Sequence, residues 1–326
     1  MAKLRFVWSV VRLRRAPRLI STALLLTVVT ALTGCAQGAI RVPDVSGRKA
    51  RIVTTTNFIT DLARQVGGDR VKVEGLMGPG VDPHLFKASA RDVRTLRQAD
   101  LVLYGGLELE GKMGDLFDEL SARQPAKAVT AGLSRSELRT EAPVRPDVID
   151  PHVWFDVSKW QSATRIVVAQ LAKLDPAHAG EYRARGAAYV AELAALDSYA
   201  KRRIQGIPAD KRVLVTSHDA FHYFGDRYGM EVVAIQGIST ATEATTADVE
   251  RVAKVIADRG LKSVFVESSV PQQTIDAVLA SAARRGQRAT VGGELYADSA
   301  GSAGTPEGTY IGMVKANVDL IVKGLK

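Results

Sequence analysis

Cysteine is almost missing from this chain: Cys35 is the only one in 326 residues. No disulfide can close within the chain, and a zinc site built on several thiolates is excluded. Histidine is scarce as well, with five in the whole sequence. Acidic residues are absent from residues 1–34, which hold Lys3, Arg5, Arg12, Arg14, Arg15 and Arg18. That lopsided leader accounts for most of the formal net charge of +9, since the remainder carries 38 basic and 35 acidic residues. No basic stripe with interleaved aromatics stands out there. Charge therefore gives no case for a nucleic-acid partner.

What is present begins with the leader itself. Its basic start is followed by an apolar stretch from Leu19 to Leu32, and then by Leu32-Thr33-Gly34-Cys35. The pattern is that of a bacterial lipoprotein signal peptide over residues 1–34, with a lipobox ending in Cys35. Cleavage before Cys35 would free its thiol to carry lipid, with residues 35–49 as a tether. The alternative is an uncleaved transmembrane anchor, but the apolar run is short against the ~20 residues a span needs. Arg14-Arg15 is not followed by the residues that twin-arginine export requires. The expected location is extracytoplasmic, lipid-anchored to a bacterial membrane.

From Arg51 onward, short β-rich runs alternate with helical patterns, the signature of βα units and parallel sheets. Strands are expected at 51–55, 71–76, 101–104, 213–216, 232–235 and 263–267. Helices are expected at 58–66, near Ser89, and at 111–120, 160–174, 220–228, 247–259, 271–285 and 310–325. Residues 131–150 read as irregular. Pro176 opens a long helix to about Gln205, with Tyr182, Tyr189, Leu193, Leu196 and Ala200 on one face. About 29 residues at ~1.5 Å each make a rod of roughly 43 Å. It reads equally as a stiff connector or as a long packing helix. The fold class expected is two α/β lobes of similar size joined by this helix. Their boundaries are 50–175 for the N-terminal lobe, 176–207 for the helix and 208–326 for the C-terminal lobe.

Chemistry concentrates in a repeated tripeptide. Asp82-Pro83-His84 and Asp150-Pro151-His152 are identical. His218 follows the apolar run 213–216, and Asp298 sits in a Gly/Ser-rich stretch. Steps of 68, 66 and 80 residues separate the four, so they come from separate structural units. Three imidazoles and a carboxylate suit a four-coordinate transition metal. Two of the four precede the long helix and two follow it, which places the site in an interlobe cleft. A single histidine is more often packed or exposed, and His178 is expected to be simply exposed. His222 is harder to place. His218-Asp219-Ala220-Phe221-His222 imitates the zinc-peptidase His-Glu-x-x-His pattern and offers a hydrolase alternative built on His218 and His222. Against it, Asp is a methylene shorter than the required base, and His218 follows a strand rather than lying in a helix.

Several stretches together carry a resemblance. They are the two tripeptides, Gly106–Met113, Thr216–Phe221, Gln236-Gly237-Ile238-Ser239-Thr240, Phe265-Val266-Glu267-Ser268-Ser269 and Gly293–Asp298. From about residue 50 to its end the chain resembles the cluster A-I solute-binding proteins of zinc/manganese ABC importers. The resemblance implies two lobes linked by a rigid helix and one Zn²⁺ or Mn²⁺ per chain as transported ligand. Carried over by position, the ligands are His84, His152, His218 and Asp298. The implied partners are an ABC permease and its ATPase, the chain itself is expected to be a monomer, and no bond is made or broken. Some manganese-selective members have Glu where this chain has His218. The His-rich loop of many zinc members is missing, because residues 114–149 contain no histidine. Phe86-Lys87-Ala88-Ser89 departs from the usual aromatic-Glu-Pro-Thr run. A metal-dependent adhesin is a further alternative. Histidine ligation should weaken as pH falls through the region around 6.

The lipobox reading is tested at its last residue. Cys35→Ser should leave the leader uncleaved by the lipoprotein peptidase and residue 35 without lipid. Mass spectrometry finding a free thiol at Cys35 in the mature wild type would refute it.

Overall fold

The computed structural model describes residues 42–141 and 145–326. The expected leader and Cys35 lie outside the described residues. Among the described residues, no helix is long and apolar enough to cross a membrane.

The N-terminal lobe is built on β1 (Ala50–Thr54), β2 (Val71–Gly75), β3 (Leu101–Tyr104) and β4 (Ala126–Ala128). They form one parallel sheet in the order β2-β1-β3-β4. Its helices are α1 (Asn57–Gly67), α2 (Ala90–Arg97) and α3 (Gly114–Ser121). The Ser89 hydroxyl and the Asp92 side chain form the reciprocal cap at the start of α2 that their spacing predicts. A short antiparallel pair, β5 (Thr140–Glu141) with β6 (Arg145–Ile149), lies in the stretch expected to be irregular. Helix α4 (Val157–Leu174) follows, capped by Asp156.

The C-terminal lobe repeats the plan. Strand β7 (Val213–Thr216) pairs in parallel with β8 (Glu231–Ala234), and β9 (Ser263–Glu267) with β10 (Thr290–Leu295). Strand β7 also lies beside β9, so the sequence of neighbours, 2-1-3-4, is that of the first lobe. Helices α6 (His222–Tyr228), α7 (Thr246–Asp258), α8 (Gln273–Arg284) and α9 (Tyr310–Leu325) complete it. Strand β10 escapes a sequence reading because Gly292-Gly293 interrupts it. Gly293 has φ 151°, and a Cβ there would stand 2.6 Å from Leu320 of α9. The glycine lets the helix sit down on the strand.

Between the lobes runs α5 (Ala179–Gln205), preceded by a 3₁₀ turn over Pro176–His178. Its buried face is Tyr182, Gly186, Tyr189, Leu193, Leu196, Ala200 and Ile204. That face packs on α1 and α4 in the first half and on α6 and α9 in the second. The helix is thus connector and packing element at once. The largest core runs along it without a break, from Ile52 and Phe58 to Phe224 and Ile321. Aromatic contacts fasten the lobes beside it. Trp160 stacks on Tyr310 with centroids 4.9 Å apart, and Phe155 on Phe221 at 4.2 Å. The Tyr310 hydroxyl donates to the Trp154 carbonyl at 2.6 Å, and its N–H to Asp61 at 2.9 Å.

Gly186 sets how closely α4 and α5 approach: a Cβ there would lie 2.2 Å from Cγ2 of Val168. Val168 is β-branched and has little freedom to turn aside within a helix. Overpacking of this kind costs about 1–3 kcal/mol, against about 0.5–1 kcal/mol returned by alanine's helix preference. Gly186→Ala should therefore lower the melting temperature by a few degrees. Thermal unfolding at or above the wild-type temperature would contradict the tight crossing.

Candidate metal centre

Four chain segments deliver four side chains to one point. In both tripeptides the aspartate turns back on the backbone two residues on. Asp82 Oδ1 accepts the His84 N–H at 2.8 Å, and Asp150 Oδ1 accepts the His152 N–H at 2.9 Å. The proline between them fixes φ, so each repeat is a preset turn that projects an imidazole. His218 leaves the end of β7, with its N–H donated to Glu267 Oε1 at 2.9 Å. Asp298 lies between β10 and α9, in a segment pinned on both sides. Trp154 Nε1 donates to the Ala297 carbonyl at 3.1 Å, and the Asn57 amide makes a two-way pair with the Ala300 backbone at 2.7 and 2.8 Å.

The result is a closed cluster. His152, His218 and Asp298 are fully buried, and His84 is 4% exposed. One donor atom from each of the four lies within 4.8 Å of all the others. His152 Nε2 stands 3.3 Å from His84 Nε2 and 3.3 Å from His218 Nε2. Two imidazoles on one tetrahedral zinc, at roughly 2.0–2.1 Å each, stand roughly 3.3 Å apart. Asp298 Oδ2 is 3.3 Å from His218 Nε2 and 3.9 Å from His84 Nε2, and its Oδ1 is 3.5 Å from His152 Nε2. Neither Asp298 oxygen has a conventional hydrogen-bond partner. A bare buried carboxylate is costly unless a cation meets it. This donor set fits one divalent ion.

Outer carboxylates orient two of the rings. Asp150 Oδ1 accepts from His152 Nδ1 at 2.8 Å, and Glu267 Oε2 accepts from His218 Nδ1. Each bond fixes the tautomer that turns Nε2 inward. Charge follows the same contacts. Burial opposes protonation of His152, but Asp150 and Asp298 outweigh it and hold the ring up at about 9. Burial likewise opposes the charge on His218, and Glu267 with Asp298 raises it well above the usual imidazole value. In His84 burial prevails, assisted by the two neighbouring rings and opposed by Asp298, and brings it down to about 3. Asp298 is held well below the carboxylate range, because His218, His152 and His84 outweigh its own burial.

All four residues expected from the sequence meet here. His222 does not join them. It is the first residue of α6 and pairs with Asp219 at 2.9 Å. His178 pairs with Asp175 at 2.8 Å on the surface. Sequence reasoning assigned no role to Glu267, although an acid closing the apolar strand Val264-Phe265-Val266 was a visible signal. Asp150 was visible too, inside the repeated tripeptide.

The family model described as "ZnuA: Zinc-uptake complex component A periplasmic" matches residues 52–324. Zinc-binding protein TroA of Treponema pallidum is 44% identical over 277 residues, covering 85% of this chain and 89% of that protein. Manganese-binding lipoprotein MntA of Bacillus subtilis is 41% identical over 308 residues, 93% of this chain and 98% of that protein. The solved structure of the Treponema pallidum periplasmic zinc-binding protein superposes with a TM-score of 0.82, over 85% of this chain and 99% of that one. With the match running through both lobes and the helix between them, the chain belongs to the ZnuA family of periplasmic zinc-uptake components.

Proposed function

We propose that this protein is the extracytoplasmic solute-binding component of an ABC importer, capturing one Zn²⁺ or Mn²⁺ and delivering it to the permease and its ATPase. The observation that carries the reading is the cluster at the lobe interface: three inward Nε2 atoms around an Asp298 carboxylate without a hydrogen-bond partner. His84, His152, His218 and Asp298 are the ligands. A binding protein must hold its cargo whole and let it go, and a buried site shared between two lobes does both. The lobes are 50–175 and 208–326, with 176–207 as the connecting helix, and a monomer tethered through lipid on Cys35 completes the picture. Three imidazoles favour Zn²⁺, for Mn²⁺ is the weakest binder in the Irving–Williams order, while Asp298 supplies oxygen that makes Mn²⁺ tolerable. The relatives carry both metals in their names. The hydrolase and adhesin readings have no observation in their favour. Asp219, the base that hydrolysis would need, faces His222 instead.

Ligand variants test the reading directly. His152→Ala, His218→Ala and Asp298→Ala should each lose most Zn²⁺ affinity in competition titrations, and His222→Ala should keep it near wild type. Equal losses at His218 and His222 would return the site to the hydrolase arrangement.

The charge state of the free site moves the expected pH dependence upward from the region around 6. With His152 held up at about 9, the ion must displace protons at neutral pH. Affinity should therefore fall as pH drops from 9, by roughly tenfold per pH unit for each proton displaced. Binding at pH 7.5 should release protons, read by calorimetry in buffers of different ionisation enthalpy. An affinity flat from pH 7 to 8.5 would show that the rings are already neutral.

A further inference from the structure

The two identical tripeptides do not do identical work. Asp150 spends one oxygen on both the backbone N–H and the Nδ1 of its own histidine, and so fixes His152 completely. Asp82 holds the His84 backbone in the same way, but its second oxygen crosses the cleft, where Thr240 Oγ1 donates to Asp82 Oδ2 at 2.5 Å. Among the described residues no carboxylate meets His84 Nδ1. His84 is therefore the ligand whose placement depends on the opposite lobe. The same loop is also tethered by the Gly80 N–H, which donates to Ser299 Oγ at 2.8 Å.

His84 also faces the way out. A cavity of about 270 Å³ opens between Glu108 and Pro151 on one lobe and Ile238 and Ser239 on the other, and of the four ligands His84 alone lines it. Thr240 itself is nearly buried, at 9% exposure. Elsewhere in the interface the aromatic contacts of Trp154, Trp160 and Tyr310 hold the lobes together. Thr240 follows Ser239 of the cavity wall, so its bond to Asp82 crosses the cleft beside this opening.

We infer that Thr240 is a positioning residue for His84: its hydrogen bond to Asp82 holds the loop against the opposite lobe and sets the rate at which the ion leaves. The inference rests on the ligand assignment above. A neutral donor to a carboxylate, shielded from water, is among the stronger hydrogen bonds. Its loss should be read in release more than in capture, because the bond holds the loop that must move aside before the ion can leave.

The test loads full-length mature protein with Zn²⁺ and chases it with a chelator in stopped flow. Thr240→Val should release Zn²⁺ roughly tenfold faster or more, with association within about threefold of wild type. Thr240→Ser should restore the slow release, and the metal-free melting temperature should not move. Release within twofold of wild type, failure of the serine variant to rescue, or a parallel fall in metal-free stability would each overturn the proposal. Should the valine variant not fold, Asp82→Asn gives a second route. It keeps an oxygen for the His84 N–H but removes the charge, and should speed release several-fold; unchanged release would count against the latch. If His152→Ala holds Zn²⁺ as well as wild type, the ligand assignment itself fails, separately from the latch.

Discussion

The rest of this structure depends on a carboxylate that nothing in the protein satisfies. Asp298 is fully buried, and neither of its oxygens has a conventional hydrogen-bond partner. Only the charge on the imidazoles around it makes that burial tolerable in the free protein. Those rings must come from both lobes, since no single βα unit places three histidines around one point. The electrostatic demand that recruits a divalent ion thus sits at the lobe interface, which the shared core and the aromatic contacts hold together. A divalent ion would meet the same carboxylate with direct bonds, so the charged rings and the ion answer one electrostatic demand.

Holding such a site requires rigidity in some directions and freedom in another. Rigidity comes from α5, whose buried face belongs to one core with both lobes, and from the aromatic stack beside it. It comes as well from the outer carboxylates Asp150 and Glu267, which leave His152 and His218 one orientation each. Around the His84 loop the contacts that cross the cleft are polar instead, at Asp82 and Gly80. A single polar contact such as Thr240 to Asp82 can be given up without exposing apolar surface, whereas separating Trp160 from Tyr310 would expose apolar rings.

Much of this was legible in the sequence, and for physical reasons. Strands such as 101–104, 213–216 and 263–267 stand out because strands buried in parallel sheets are short apolar runs. The capping box at Ser89 is a local code with a local answer. His84 and His152 stood out because a repeated Asp-Pro-His in a chain with five histidines is a strong coincidence, while His218 and Asp298 were singled out less by their spacing than by the family resemblance. What was not legible was non-local. Strand β10 hides behind Gly292-Gly293, whose purpose is the approach of α9. The β5–β6 pair is short and borders Pro143. The role of Glu267 depends on β9 lying beside β7, a neighbour relation that no local pattern reports. The dual nature of α5 could not be read either, because its apolar stripe looks the same whether it touches one lobe or two.

The repeated tripeptide also shows the limit of reading motifs by identity. Both copies make the same turn, because aspartate and proline act on their own backbone. What else each carboxylate does has no local instruction, and its surroundings decide it. In Asp150 the oxygen that makes the turn also accepts from the His152 imidazole, while Tyr223 donates to the Asp150 backbone carbonyl at 3.0 Å. Asp82 sits on the rim, where the nearest donor is Thr240 of the other lobe. One motif thus yields an imidazole fixed within its lobe and another whose loop is fixed across the cleft. That asymmetry matters more than the shared sequence: His152 is oriented by a carboxylate of its own lobe, while the loop that carries His84 is tied to the opposite lobe.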